Sequence, residues 1–379
     1  MPRRTPAYTR AMAFTPPLRP DLHGDAPYGA PQVAAAHLMN VNENPFGPSA
    51  AMIQRLQERV GEAGPTLNRY PDREFLDLRA RLGEYLAAEA GIPAPPAEQV
   101  WAANGSNEIM QQLFTAFGGP GRTALGFAPH YSMYPEYARN TLTEWVAAER
   151  GAAPQFELTA DMVLAAIRQH NPTLVLLTSP NNPTGTALEL SIVRTAAREL
   201  EQRGAVLVVD EAYAEFRRDG VPSALTLLAD HPNLVVSRTM AKAFALAGAR
   251  IGYLAAQQNI VDAVRVVRLP YHLSALTQAA AHTALDFTDE LLGSVQFLRT
   301  ARNELTAWLK DRGYAVADSD SNFILFGQFP DRHRVFQGLL ERGVLIREVG
   351  PEGWLRVSVG TEQNNTAFRT ALMEVDPRD

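Results

Sequence analysis

Short apolar runs alternate along this chain with stretches of helical spacing. The runs cover residues 100–103, 123–127, 174–178, 205–209, 234–237 and 251–254. Runs of this length, bounded by turn formers and separated by helices, predict strands of a mostly parallel sheet covered on both faces. A seven-stranded sheet is expected, one strand more than the runs themselves mark. Apolar positions at helical spacing predict helices over 50–60, 72–89 (Phe75, Leu78, Leu82 and Leu86 on one face), 109–117 and 287–312 (Leu291, Leu292, Val295, Leu298, Leu305 and Leu309). Beyond them, strand patterns over 322–326 and 355–359 mix with helices, as in a smaller α+β domain. Residues 1–36 carry Pro, Gly and Ala without periodicity and predict an extended arm. The expected architecture is therefore α/β. Residues 1–50 form the arm and part of a small domain, 51–285 the large domain and 286–379 the small C-terminal domain.

In a sheet of this kind ligands gather at the carboxyl ends of the strands. The first run is followed by Asn104-Gly105-Ser106-Asn107-Glu108, a turn that opens a helix and offers backbone N–H groups and a positive dipole end to an anion. Taken alone it reads rather as an ordinary helix cap. Run 174–178 leads into Ser179-Pro180-Asn181-Asn182-Pro183-Thr184-Gly185, a proline-bracketed turn that fixes an Asn side chain. Run 205–209 leads into Asp210-Glu211-Ala212-Tyr213, and run 234–237 into Thr239, Lys242 and Arg250.

Composition sharpens this picture at one residue. Lys and Arg total 35 in 379 residues, and only Lys242 and Lys310 are lysines. Arginine does most cationic work as well as lysine, but only a primary amine forms a Schiff base. Lys242, inside Ser237-Arg238-Thr239-Met240-Ala241-Lys242, is thus the first candidate. A net charge of −6 argues against nucleic acid, and the absence of cysteine excludes disulfides and thiolate chemistry. No apolar run reaches the ~18 residues of a membrane span, so no membrane partner and a cytoplasmic location are expected. The eight histidines show no paired metal-ligand spacing, and no metal is expected. Gly118-Gly119-Pro120-Gly121 lacks dinucleotide-fingerprint spacing, and Trp101, Trp145, Trp308 and Trp354 read as core.

An amine, a carboxylate at a strand mouth and a phosphate-sized helix terminus together describe pyridoxal phosphate chemistry. The carboxylate keeps the pyridine nitrogen protonated, so that the ring takes up electrons; Asn182 and Tyr213 can donate to the ring oxygen. A neighbouring cation such as Arg250, with partial burial, would lower the pKa of Lys242.

These residues resemble the fold-type I aminotransferases, and within them the histidinol-phosphate aminotransferase family. The resemblance spans nearly the whole chain, from Pro27-Tyr28-Gly29-Ala30-Pro31-Gln32 through Asn42-Glu43-Asn44-Pro45, Asn68-Arg69-Tyr70-Pro71, the Asn182 turn, Asp210 to Tyr213, the Lys242 segment and Leu269-Pro270-Tyr271-His272-Leu273-Ser274 to Arg356-Val357-Ser358-Val359-Gly360. It implies transfer of an amino group between L-histidinol phosphate and 2-oxoglutarate through a Schiff base of pyridoxal phosphate on Lys242. It further implies that Asp210 pairs with the pyridine nitrogen, Asn182 and Tyr213 bond the ring oxygen, and Tyr131 stacks on the ring. By the same resemblance Ser106, Asn107, Thr239 and Arg250 hold the phosphate, with Tyr70 arriving from the other subunit of a homodimer that shares its active sites. Tyr28, Asn42, Asn182, Arg347 and Arg356 would contact substrate.

Two departures stand out. Ala241 replaces the serine common before the lysine, a loss of about 1.5–3 kcal/mol of cofactor affinity if nothing compensates. Asn107 stands where an Asp is half expected. Other readings of the same residues are an aromatic amino acid aminotransferase, a decarboxylase of an amino acid phosphate, and a cofactor-sensing module without turnover.

Overall fold

The computed structural model describes residues 16–24, 29 and 32–378, which fall into two units, 1–33 and 34–379. In the first unit the described residues form one 3-10 turn, Pro20–Leu22, beside an Arg19–Asp21 ion pair at 2.8 Å.

The second unit begins with strand β1 (His37–Leu38) and helices α1 (Ala50–Ala63) and α2 (Leu76–Ala90). Ser49 caps α1 by accepting from the Met52 N–H. Helix α2 starts four residues later than its apolar pattern does, because Phe75 sits at φ +36°, a left-handed conformation that ends any helix before it. Phe75 still joins Leu78, Leu82 and Leu86 in the core.

Strands β2 (Val100–Ala103), β3 (Thr123–Ala128), β4 (Glu144–Glu149), β5 (Leu174–Thr178), β6 (Val206–Asp210), β7 (Leu234–Thr239) and β8 (Gly252–Ala256) form one sheet in the order β2-β8-β7-β6-β5-β3-β4. Only β8 runs against the rest. The seventh strand is β4, an edge strand paired to β3 alone and flanked by Glu144 and Glu149. Its half-exposed, Ala-rich pattern hides the strand from an apolar-run search. The central strands β5, β6 and β7 are buried almost throughout, as parallel strands between helices must be. Helix α3 (Ser106–Phe117) follows β2.

The 24-residue helix Thr288–Asp311 leads into a second, three-stranded antiparallel sheet. It comprises β9 (Ala315–Val316), β10 (Phe323–Gly327) and β12 (Leu355–Ser358), while β11 (Val344–Leu345) pairs in parallel with β1. The early strand is thereby tied to the last quarter of the chain. Trp101 and Trp354 are wholly buried, and Trp145 and Trp308 pack against the core. Among the described residues no helix is long and apolar enough to cross a membrane, and no three His, Asp or Glu gather as metal ligands.

Candidate active site

The carboxyl edge of the large sheet brings the chemistry together. Lys242 follows β7, and its Nζ donates to Val41 O at 2.9 Å, 5.9 Å from the Tyr213 ring centroid. Burial, helped by the guanidinium groups of Arg356 and Arg250 and opposed by Glu43, holds the amine down at about 8. Lys310, the other lysine, lies exposed near the end of the long helix.

Asp210 ends β6 and is 6% exposed. Its Oδ1 accepts from Ser237 Oγ and from the Ala212 N–H, both at 3.2 Å, and its Oδ2 accepts from Tyr134 OH at 2.8 Å. Burial raises this carboxyl above the usual range, and the three donors pull it partly back. Every donor that reaches it among the described residues is neutral.

Beside them Tyr213 OH accepts from Asn42 Nδ2 at 3.0 Å and from Asn182 Nδ2 at 3.3 Å. Burial raises the phenol's pKa, so it keeps its proton. Arg356, from β12, donates to Asn182 Oδ1 at 2.6 Å and to Asn40 O at 2.8 Å. Arg347 and Arg356 exchange both backbone hydrogen bonds at 2.9 Å, which places the two side chains on one face. Arg347 is half-buried, and its Nη1 meets no acceptor among the described residues.

At the other end, α3 begins at Ser106 behind Gly105, which sits at φ +83° and, having no side chain, leaves the helix without a side-chain cap. The first N–H groups of a helix have no acceptor within it and carry its positive dipole end. The Arg250 guanidinium packs directly on this turn: a Cβ on Gly105 would lie 2.6 Å from Nη2. A Cβ on Gly252 would overlap Gly105 C and Ser106 N, so the β8–α3 approach also requires glycine. Uncapped N–H groups facing a guanidinium make a cup that fits a phosphate group.

Residues 37–372 match the family described as Aminotransferase class I and II. The chain belongs to the class I and II aminotransferases. A histidinol-phosphate aminotransferase of Thermobifida fusca (strain YX) is 56% identical to this aminotransferase over 362 residues, 96% of each chain. One of Bifidobacterium longum (strain NCC 2705) is 55% identical over 374 residues, covering 95% of this chain and 96% of its own. Among solved structures, the histidinol-phosphate aminotransferase of Sinorhizobium meliloti in complex with pyridoxal-5'-phosphate aligns with a TM-score of 0.82 at 24% identity, over 96% of this chain and 99% of that one. An aspartate aminotransferase of Thermus thermophilus with maleate aligns with a TM-score of 0.75 at 24% identity, over 89% and 90%. These likenesses show the fold, the fold-type I architecture.

Within the aminotransferase, the expected site residues gather unevenly. Lys242, Tyr213, Asn182, Asn42 and Arg356 form one connected group, while Ser106 and Arg250 line the phosphate-sized cup. Asn42 is wholly committed inside the protein: its N–H donates to Ser358 Oγ, which in turn donates to its Oδ1, both at 2.9 Å, and its Nδ2 reaches Tyr213. Thr239 Oγ1 donates to Ile251 O and accepts from the Ala241 N–H, both at 3.1 Å, so its hydroxyl braces the turn. Asn107 is exposed on α3, and Tyr131 lies half-buried with its ring edge-on to Tyr134 at 5.6 Å. Tyr70 is 79% exposed and stacks on Tyr271 at 4.4 Å. Tyr28 lies outside the described residues.

Sequence reasoning missed Tyr134, which touches Asp210, and Val41, whose carbonyl takes the lysine's hydrogen bond. Tyr134 stands three residues beyond Tyr131, at the start of the short helix Tyr134–Asn140 after β3, where no motif marked it; Val41 acts through its backbone and leaves no side-chain signal.

Proposed function

We infer that this chain is a histidinol-phosphate aminotransferase, moving an amino group between L-histidinol phosphate and 2-oxoglutarate with pyridoxal phosphate as cofactor. The observation that carries the cofactor is Asp210: a buried carboxylate held, among the described residues, only by neutral donors, so that a cationic ring nitrogen would complete it. The relatives above 50% identity carry the substrate. Pyridoxal phosphate supplies an aldehyde for amines and a ring that takes up the electron pair released at the substrate Cα.

The chain supplies the rest. Asp210 keeps the ring nitrogen protonated, Tyr213 and Asn182 hold the ring oxygen, and Tyr131 covers the ring face. The α3 terminus, with Ser106, Asn107 and Arg250, takes the phosphate, while Thr239, whose hydroxyl proton goes to Ile251 O, braces the turn behind it. Lys242 Nζ, neutral above about pH 8, would act as the base that moves the proton at the substrate Cα. Arg347 and Arg356 bind the anionic ends of both substrates, and the bidentate fork suits phosphate and carboxylate alike. Tyr28 joins them.

The working form is a homodimer in the cytoplasm. Tyr70, exposed on a shelf with Tyr271, reaches the partner's phosphate cup. Residues 51–285 act as the large domain and 286–379 as the small one, which the segment 34–50 completes; the pairing of β1 with β11 supports this division.

A visible absorbance scan during titration tests the reading. L-histidinol phosphate, added without keto acid, should deplete the bound cofactor's visible band. A response to L-phenylalanine alone would move the assignment to aromatic amino acids, and no band after adding pyridoxal phosphate would end it. Lys242→Ala should cost at least ~10⁴-fold in turnover. Mixed dimers of Tyr70→Phe and Lys242→Ala subunits should recover activity if the sites are shared, and none if they are not.

A further inference from the structure

The sheet register explains why Asp210 is so well furnished with hydroxyls. Asp210 pairs with Thr178 of β5 on one side and with Ser237 of β7 on the other. Register partners on neighbouring strands project to the same face, so three polar side chains stand in a row at the sheet's carboxyl edge. Ser237 serves Oδ1 directly. Thr178 does not reach the carboxylate; its Oγ1 lies 2.9 Å from Tyr134 OH, which lies 2.8 Å from Asp210 Oδ2.

The direction of this chain of bonds follows from its end. An ionised carboxylate only accepts, so the Tyr134 proton points at Oδ2 and the Thr178 proton points at the Tyr134 oxygen. Burial and the neighbouring Asp210 charge keep the phenol protonated far beyond neutral pH. Tyr134 is 1% exposed and its ring is fixed by Trp145 at 6.1 Å, His130 at 6.0 Å and Tyr131 at 5.6 Å. A dry carboxylate without a cation sheds its charge unless donors hold it. Of its three donors among the described residues, Tyr134 makes the shortest bond and is the only side chain of these that reaches Oδ2.

We propose that Tyr134 is the positioning residue that keeps Asp210 ionised and aimed at the cofactor's ring nitrogen, with Thr178 steering its hydroxyl. The inference rests on the reading of Asp210 as the ring nitrogen's partner. A role confined to packing would instead make Tyr134 matter equally for any ligand of that shape.

Equilibrium dialysis of the full-length apo chain separates the two, using pyridoxal phosphate and its analogue with CH in place of the ring nitrogen. The unaltered chain should hold pyridoxal phosphate the more tightly. Tyr134→Phe keeps the ring and removes the hydroxyl; it should weaken pyridoxal phosphate roughly ten-fold while moving the analogue less than about two-fold. Thr178→Val, which leaves the phenol in place but unsteered, should shift the ratio in the same direction by less, and it stands in if Tyr134→Phe does not fold. Equal weakening of both compounds, or no change in either, would overturn the proposal. If the unaltered chain and Asp210→Asn both fail to distinguish the compounds, the reading of Asp210 falls and this inference falls with it.

Discussion

Asp210 and Glu211 are neighbours in the chain, both buried, and live in opposite worlds. Asp210 faces the strand mouth, where Tyr134, Ser237 and the Ala212 N–H hold it without a cation. Glu211 faces away. Its Oε2 accepts from Arg238 Nε at 2.9 Å and from Ser223 Oγ at 2.7 Å, and its Oε1 accepts from the Ala224 N–H at 2.7 Å. Arg238 also meets Glu89 at 2.8 Å and Glu215 at 3.2 Å, and Arg217 reaches Glu89 at 2.6 Å. The difference teaches how to tell a carboxylate that builds the fold from one that waits for a ligand. The first arrives with its counter-ion; the second is desolvated, hydrogen-bonded and left one positive charge short.

The comparison breaks most visibly at Glu211. Glu211→Gln removes one of the three carboxylates around Arg238 and leaves Glu89 and Glu215, so the loss is that of a buried charge-assisted contact, about 1.5–3 kcal/mol. Chemical denaturation should show that loss, while the folded fraction binds pyridoxal phosphate almost normally. A stable Glu211→Gln protein that binds cofactor poorly would reverse the two roles.

Asp210→Asn should do the opposite: turnover falls roughly 10²–10³-fold, with no loss of apo stability at neutral pH. The sign follows from the raised carboxyl. An acid whose folded pKa lies above its unfolded value contributes stability that is whole below about pH 3.9 and is lost as pH rises through the folded pKa. Asn carries no such penalty, so the variant apo chain should melt at or above its parent at pH 7 and lose that advantage toward pH 4. A variant that melts lower at pH 7 would mean that the fold already supplies Asp210 with a cation.

Much of this contrast is legible in the sequence, and what is not has physical causes. Buried parallel strands announce themselves as apolar runs, so β5, β6 and β7, and hence Asp210 and Lys242 beyond them, are readable. Strand β4 is not, because an edge strand with charged ends lacks the two-sided burial that makes a run. Phe75 belongs to the apolar face of α2 but not to its helix, since periodicity reports burial and not φ. Which of the two carboxylates faces the site follows from strand alternation, but Tyr134 enters from the start of the helix Tyr134–Asn140, and its contact with Asp210 is a fact of three-dimensional packing. Thr239 shows the reverse limit: a hydroxyl in a recognisable segment that the main chain has already claimed.

Two serines give the finest test, because each donates its hydroxyl to one of the two carboxylates. Ser223 donates to Glu211 at 2.7 Å, receives Arg238 Nη2 at 3.1 Å and caps the turn Ala224–Leu227 through the Leu225 N–H at 3.1 Å. Ser223→Ala should therefore cost about 1–2 kcal/mol of stability and leave cofactor affinity unchanged. The Ser237 hydroxyl makes one hydrogen bond among the described residues, to Asp210 at 3.2 Å. In the apo chain Asp210 can answer its loss by taking up a proton, so Ser237→Ala should hardly change the melting point. Once a ring nitrogen needs the carboxylate ionised that escape closes, and the loss should appear as roughly a two- to five-fold weaker hold on pyridoxal phosphate. If both substitutions shifted stability alike and neither touched cofactor affinity, the two carboxylates would be structural partners of one kind, and Asp210 would have no claim on the ring.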